Sequence, residues 1–281
     1  MVVSMIYLFT ALYCEAELFI KKFRLEKVLE NVRLQEFYQE EAGIRLTVTG
    51  VGEIAAAAAV SSTCTACKPR EGDMLLNVGT CAHIAGNQGV FLCNKILEQT
   101  TGKTFYPDLL YRHHLQEERI VTGMLPCNSE ENLDGTLYDM EAAAIYQAGA
   151  YFFGPHQMMF LKVVSDQGAA KEVSKEKVMH LMETYQEMLF DFIGGLSAIA
   201  YAAQRNAESL QQKEIRMETL FADLHCSKAM RDALRQHLHY WELAGREPAS
   251  VIGELYREGL LPCKDKREGK LCFEEIRRRL F

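Results

Sequence analysis

Apolar residues over the first two hundred positions follow two alternating rhythms. Short continuous apolar runs, rich in β-branched and aromatic residues, alternate with longer stretches whose apolar positions repeat every three or four residues. The first rhythm belongs to buried strands and the second to helices with one packed face. Ile6–Ala11, Ile44–Thr49, Asp73–Val78, Val90–Cys93, Arg119–Thr122 and Met158–Val164 are expected as strands. Glu15–Leu29, with Leu18, Phe19, Phe23 and Val28 spaced for one face, is expected as a helix, as are Glu53–Val60, Met140–Tyr151 and Lys175–Ala203. Turns containing glycine follow two of the strands, at Gly50-Val51-Gly52 and at Gly79. Alternating strands and helices predict an α/β unit with crossover connections. In such sheets ligands gather at the carboxyl ends of the strands.

The pattern changes after Gln204. Residues 205–281 are charge-rich with little β signal, and Leu220, Leu224, Met230, Leu234, Leu238 and Trp241 recur at helical spacing. Pro248 is suited to open a helix running to Arg257. The expected organisation is an α/β domain over residues 1–204 and a helical extension of three or four helices over 205–281.

Composition narrows the function classes. The 281 residues are 48% hydrophobic and 25% charged, which is ordinary for a folded globular chain. A net charge of −7 argues against a broad basic face for nucleic acid. The local cluster Lys264, Lys266, Arg267, Lys270, Arg277, Arg278 and Arg279 is expected to be a solvated helix face. Nine cysteines, an odd number set in apolar or helical stretches, suit reduced thiols in a cytoplasmic protein. Cys64-x-x-Cys67 has no second pair at metal spacing, so no metal is expected. The apolar start, Met1 to Cys14, has no Lys or Arg before it and no small-residue cleavage site after it, so a strand is expected there. The longest uncharged stretch, Ala142 to Leu161, is interrupted by Gln147, Gly149, Gly154, Pro155, His156 and Gln157, and is not expected to span a membrane.

Two segments carry candidate chemistry: Asp139-Met140-Glu141-Ala142-Ala143-Ala144-Ile145, and the strand Phe160–Val164 running into Ser165-Asp166. Three landmarks precede them in order: Ala11-Leu12-Tyr13-Cys14-Glu15, Gly50-Val51-Gly52 before an alanine-rich helix, and Asn77-Val78-Gly79-Thr80-Cys81-Ala82. Together they resemble the nucleoside phosphorylase/nucleosidase superfamily, above all its methylthioadenosine/S-adenosylhomocysteine nucleosidase branch, over roughly residues 5–203. The resemblance implies a three-layer fold with a central mixed sheet. It also implies hydrolysis of the N-glycosidic bond of a purine nucleoside or thionucleoside, without a cofactor, by a homodimer or higher oligomer. The contact between subunits is expected on the helix near Ala55–Val60.

That reaction builds positive charge on the ribose and negative charge on the leaving base. It needs an acid near the base, a base near the anomeric carbon and a carboxylate on the sugar hydroxyls. By resemblance, Asp166 protonates the purine N7, Glu15 positions or deprotonates water, and Glu141 grips the ribose hydroxyls beside Met140. Ser165 orients Asp166, while Gly79, Thr80 and Cys81 present backbone groups along the sugar and base. Each carboxylate also has a plainer reading, since Glu15 and Glu141 could complement a helix dipole and Asp166 could simply start a loop.

Four departures from the family pattern stand out. His83 occupies a position where the nucleosidases usually carry glycine. The stretch from Gly123 to Asp139 is short and offers only Met124, Leu125, Pro126 and Cys127 as apolar groups against a base. No arginine sits in the glycine turns where phosphorolytic members bind phosphate, which leaves Arg24 and Arg45 as substitutes. Lys162, on the strand leading to Asp166, is placed to pair with a carboxylate. The rival readings are therefore a phosphorylase using inorganic phosphate, and a non-catalytic nucleoside-binding or scaffold protein.

Overall fold

The computed structural model describes residues 4–29, 33–127, 136–168 and 173–280, which form two compact units, Met1–Arg205 and Asn206–Phe281. The first unit begins with β1 (Ile6–Thr10), whose five residues are all buried, followed by α1 (Tyr13–Phe23). The helix ends well before the expected Leu29. Arg24 takes a left-handed conformation at φ 51°, and the chain turns into β2 (Glu26–Lys27), β3 (Gln35–Gln39) and β4 (Ile44–Val48). After α2 (Glu53–Cys67) comes β5 (Met74–His83), which runs straight through Gly79, so the turn expected there is continuous strand. β6 (Val90–Glu98), β7 (Thr104–Phe105), β8 (Gln116–Thr122), β9 (Leu137–Asp139), α3 (Ala142–Gly149) and β10 (Met158–Asp166) follow. The single helix expected over 175–203 is two: α4 (Lys175–Thr184) stops at Tyr185, and α5 (Gln186–Asp223) continues past Gln204.

The strands form one mixed sheet in the order β2-β3-β4-β1-β5-β9-β8-β6-β10. β4, β1, β5 and β10 run parallel, and β10 pairs with both β5 and β6. That double pairing closes β5, β10, β6, β8 and β9 into a ring at one side of the sheet. Alternate residues serve opposite faces, as the two-residue period of a strand requires. Ile6, Leu8, Met74, Leu76, Met159 and Leu161 join Phe19 of α1, Met182 of α4 and Ile193 of α5 in one core. Tyr7, Phe9, Leu75, Met158 and Phe160 join Ala56 and Val60 of α2 and Ala142 and Ile145 of α3 in the other. The result is the expected α/β architecture, with a mixed sheet between two helical layers.

The second unit takes the end of α5 together with α6 (Lys228–Leu243), α7 (Pro248–Arg257) and α8 (Lys266–Leu280). Leu220, Phe221, Leu224, Leu234, Leu238, Leu255, Phe273 and Ile276 form its core, with Trp241 packed against it. The Ser227 hydroxyl accepts the Met230 N–H to cap α6, and Pro248 opens α7. Within the C-terminal basic cluster, Arg277, Arg278 and Arg279 pair with Glu274, Glu275 and Glu258 respectively. Among the described residues, no helix is long and apolar enough to cross a membrane.

Candidate active site

The carboxyl ends of β1, β5 and β10, together with the β9–α3 junction, surround a cleft of about 300 Å³. Seven of the eight residues singled out in the sequence line it: Glu15, Thr80, Cys81, Met140, Glu141, Ser165 and Asp166. The exception is Gly79. It does not present a group to the cleft but lies against the Glu15 carboxylate, where an added Cβ would sit 3.3 Å from Oε1. Glycine here permits the close approach that locks Glu15 in place.

Glu15 is 2% exposed and accepts four hydrogen bonds. Its Oε2 accepts the backbone N–H groups of Ala11 and Leu12 at 3.1 and 3.0 Å. Its Oε1 accepts the N–H and the hydroxyl of Thr80 at 2.7 and 2.8 Å. An ionised carboxylate has about four lone-pair sites, so its acceptor capacity is filled. The Thr80 amide, expected to face sugar and base, is thus engaged by Glu15.

Asp166 ends β10 and is held from two sides. Ser165 Oγ donates to Oδ2 at 2.7 Å and the Gly168 N–H donates to Oδ1 at 2.8 Å. Cys81 O, at 3.2 Å, is a second and longer acceptor for the same hydroxyl.

Glu141 precedes α3 rather than lying in its first turn, because the helix begins at Ala142. Its Oε1 accepts the Gly52 N–H at 2.7 Å, so the glycine turn read as a weak phosphate loop holds a carboxylate instead. Burial and the neighbouring Asp139 push the Glu141 carboxyl up to about 7. Lys162, by contrast, lies beneath the cleft, with its Nζ 2.7 Å from Asp139 Oδ2 and both side chains 1% exposed. Burial alone would lower the Lys162 ammonium, but Asp139 and Glu141 outweigh it and raise it above the ordinary lysine value. Asp139 also accepts from Thr122 Oγ1 and from the Ala142 N–H. Sequence reasoning quoted Asp139 within its motif but gave it no role. The available signal was an acidic residue beside Met140 and a lysine on the apolar strand.

The remaining departures resolve in different ways. His83 is fully buried against Phe91 in the sheet core, and neither ring nitrogen has a hydrogen-bond partner among the described residues. Pro126 and Cys127 line the cleft, whereas Met124 and Leu125 are 61% and 74% exposed. Residues 128–135 of that segment lie outside the described residues. Neither Arg24 nor Arg45 reaches the cleft: Arg24 ends α1, and Arg45 pairs with Glu36 over the Tyr38 ring. No lysine or arginine lines the cleft among the described residues.

Comparison with solved structures gives the fold. A 5′-methylthioadenosine/S-adenosylhomocysteine nucleosidase from S. pneumoniae, solved with the transition-state inhibitor MT-ImmA, superposes with a TM-score of 0.57 at 15% identity. The match covers 68% of this chain and 99% of that one. The 5′-methylthioadenosine nucleosidase of Arabidopsis thaliana gives a TM-score of 0.56 at 23% identity, covering 69% of this chain and 98% of the plant enzyme. A futalosine hydrolase mutant of Helicobacter pylori gives 0.51 at 11% identity, covering 67% and 100%. No protein-family model and no curated protein matches the sequence. The chain therefore has the phosphorylase/nucleosidase fold. Within that fold it is similar in structure to the methylthioadenosine/S-adenosylhomocysteine nucleosidases, and it adds C-terminal helices beyond the matched part.

Proposed function

We propose that the protein is a nucleosidase that hydrolyses the N-glycosidic bond of a purine nucleoside or a methylthioadenosine-like thionucleoside. The observation that carries this reading is the convergence of Glu15, Glu141 and Asp166 on one cleft at the strand ends, with no cationic side chain among the described residues lining it. Asp166 gives its proton to N7 of the departing base. The carboxylate left behind is met by Ser165 Oγ and the Gly168 N–H, and charge-assisted bonds of this kind favour the state after proton transfer. Glu141 accepts a ribose hydroxyl, and that bond strengthens as the sugar becomes cationic. Glu15 accepts a proton from the attacking water. Its acceptor sites are filled, so the Thr80 hydroxyl, the one of its four donors that can rotate, must turn away first.

Among the described residues, the cleft lining carries carboxylates and no lysine or arginine, which favours water over phosphate as nucleophile, because a phosphate dianion would meet like charge there. Base release from a panel of purine nucleosides, with and without inorganic phosphate, tests the reading. Free sugar in both conditions is expected. Sugar 1-phosphate formed only with phosphate would make the protein a phosphorylase, and no release at all would make it a binding protein.

The first unit is proposed to pair with a second copy through α2 and α3. Within the expected patch near Ala55–Val60, Ala56, Ala59 and Val60 face the unit's own core, while Ala57 is half-buried and Ala58 exposed. The outward groove is lined by Ile54, Ala57, Ala144, Ala148 and Tyr151 together with the polar Glu53, Ser61 and Gln147, with Ile54 82% and Tyr151 87% exposed. Light scattering should give a dimer or larger species at micromolar concentration, and a monomer there would refute the pairing.

A further inference from the structure

Lys162 is the buried cation among the described residues, and the mechanism above does not use it. It sits on β10 between Phe160 and Val164, faces the same side of the sheet as they do, and does not line the cleft. An apolar residue would pack there without the desolvation that a buried ammonium requires, so stability alone is a weak reason for the charge. Its partner Asp139 already has neutral donors, Thr122 Oγ1 at 2.7 Å and the Ala142 N–H at 2.9 Å. What the lysine adds is charge, next to a cleft that is otherwise anionic.

Glu141 lies two residues beyond Asp139, and the groups that face it come from four elements. Asp139 on β9 and Glu15 on α1 oppose its ionisation. Lys162 on β10 and the Gly52 N–H ahead of α2 favour it. Without Lys162, two carboxylates would oppose the ionisation of Glu141, with one backbone N–H in support. We propose that Lys162 is a positioning residue of the cleft: its ammonium cancels the charge of Asp139, so that Glu141 meets the substrate as a carboxylate. The proposal rests on the nucleosidase reading for what Glu141 binds, but not for the state of Glu141 itself.

The test follows the Glu141 carboxyl directly, as the infrared difference between each protein and the same protein carrying Glu141→Gln, across pH. Lys162→Met is expected to raise the midpoint of Glu141 ionisation by about one pH unit or more, which is about tenfold in the ionised fraction above neutral pH. Lys162→Arg keeps the charge and should keep the midpoint near that of the unmodified protein. Lys162→Met combined with Asp139→Asn removes both charges and should bring the midpoint back, which a merely structural role for Lys162 does not predict. If Lys162→Met fails to fold, Asp139→Asn alone decides the question, with the midpoint expected to fall. A midpoint unmoved by Lys162→Met, a double variant no nearer the unmodified protein than the single, or an unmoved midpoint in Asp139→Asn would each overturn the proposal. On the nucleosidase reading, the acid limb of kcat/KM moves with the infrared midpoint. Base release absent from every protein would refute that reading, while the infrared midpoints still decide the role of Lys162.

Discussion

Replacing Glu15 by glutamine looks conservative, yet the hydrogen bonds around it make it a severe change. The carboxylate is met by donors on all sides, three backbone N–H groups and one hydroxyl. A glutamine has one acceptor oxygen and an NH₂ that must point at one of the two donor pairs. With the NH₂ toward Ala11 and Leu12, two backbone N–H groups are opposed. The better choice points it at Thr80, whose hydroxyl can turn round and accept. Even then the Thr80 N–H, 2.7 Å from the present Oε1, faces another donor and must move away unsatisfied. Orphaning one buried N–H costs about 1–3 kcal/mol, and the bonds that survive lose their charge assistance, so the total is about 2–4 kcal/mol. That is a large share of a typical domain stability of about 5–15 kcal/mol. Urea unfolding of the unmodified protein and of Glu15→Gln, followed by circular dichroism, measures it. A midpoint shift equivalent to under about 1 kcal/mol would show that the shell rearranges freely and that the carboxylate is not locked as described.

The other predictions concern the remaining cleft residues and the second unit. Asp166→Asn should slow base release by roughly 10²-fold or more while leaving unfolding nearly unchanged, since the amide oxygen can keep the Gly168 N–H while the Ser165 hydroxyl turns to accept from the amide NH₂ and donate to Cys81 O; full activity in that variant would remove Asp166 from the acid role. Glu141, with its carboxyl raised from 4.5 to about 7 by burial and Asp139, takes up a proton more readily folded than unfolded. Its contribution to stability is therefore complete below about pH 4.5 and is lost as pH rises through about 7, so Glu141→Gln should flatten the fall in Tm between about pH 5 and pH 8; an equal fall in both proteins would contradict the shift. A chain ending at Arg205 should keep base release within about tenfold, because the Ser4 hydroxyl still meets Ala200 O and Gln204 Oε1 and the cleft is complete; a folded but inactive product would show that the C-terminal helices are needed for the chemistry.

The parts of the fold that announce themselves are those set by local chemistry. β1 and β10 are legible because strands buried on both faces must be apolar throughout. β3 is missed because its sequence, Gln35-Glu36-Phe37-Tyr38-Gln39, looks polar, and β9 because three residues leave no period to detect. The early end of α1 depends on a left-handed arginine, a position usually marked by glycine. The division near Gln204 follows charge density, but helix continuity does not. Residues on both sides are strong helix formers, so α5 runs on to Asp223. The cleft residues were legible as a set through the resemblance of their motifs, in order along the chain, to the nucleosidase pattern; strand ends and helix starts alone would have left each with a plainer reading. What stayed hidden were pairings across the chain, such as Lys162 with Asp139 and Gly52 with Glu141, which only the folded sheet brings within reach.

The ring closure of the sheet has a consequence for how the protein meets its neighbours. A strand with unpaired N–H and C=O groups is a template on which another chain can add. Among the described residues, β10 folds back onto β5, so one side of the long sheet closes on itself and leaves short edges at the two-residue β7 and at Gln116–Arg119 of β8, and the other side ends on β2, the exposed pair Glu26-Lys27. The described edges are therefore short, and at β2 a carboxylate and an ammonium occupy the rim. Ring closure thus limits how far the sheet could grow by strand addition, and makes helix faces and the open cleft the wider surfaces through which the unit can be recognised.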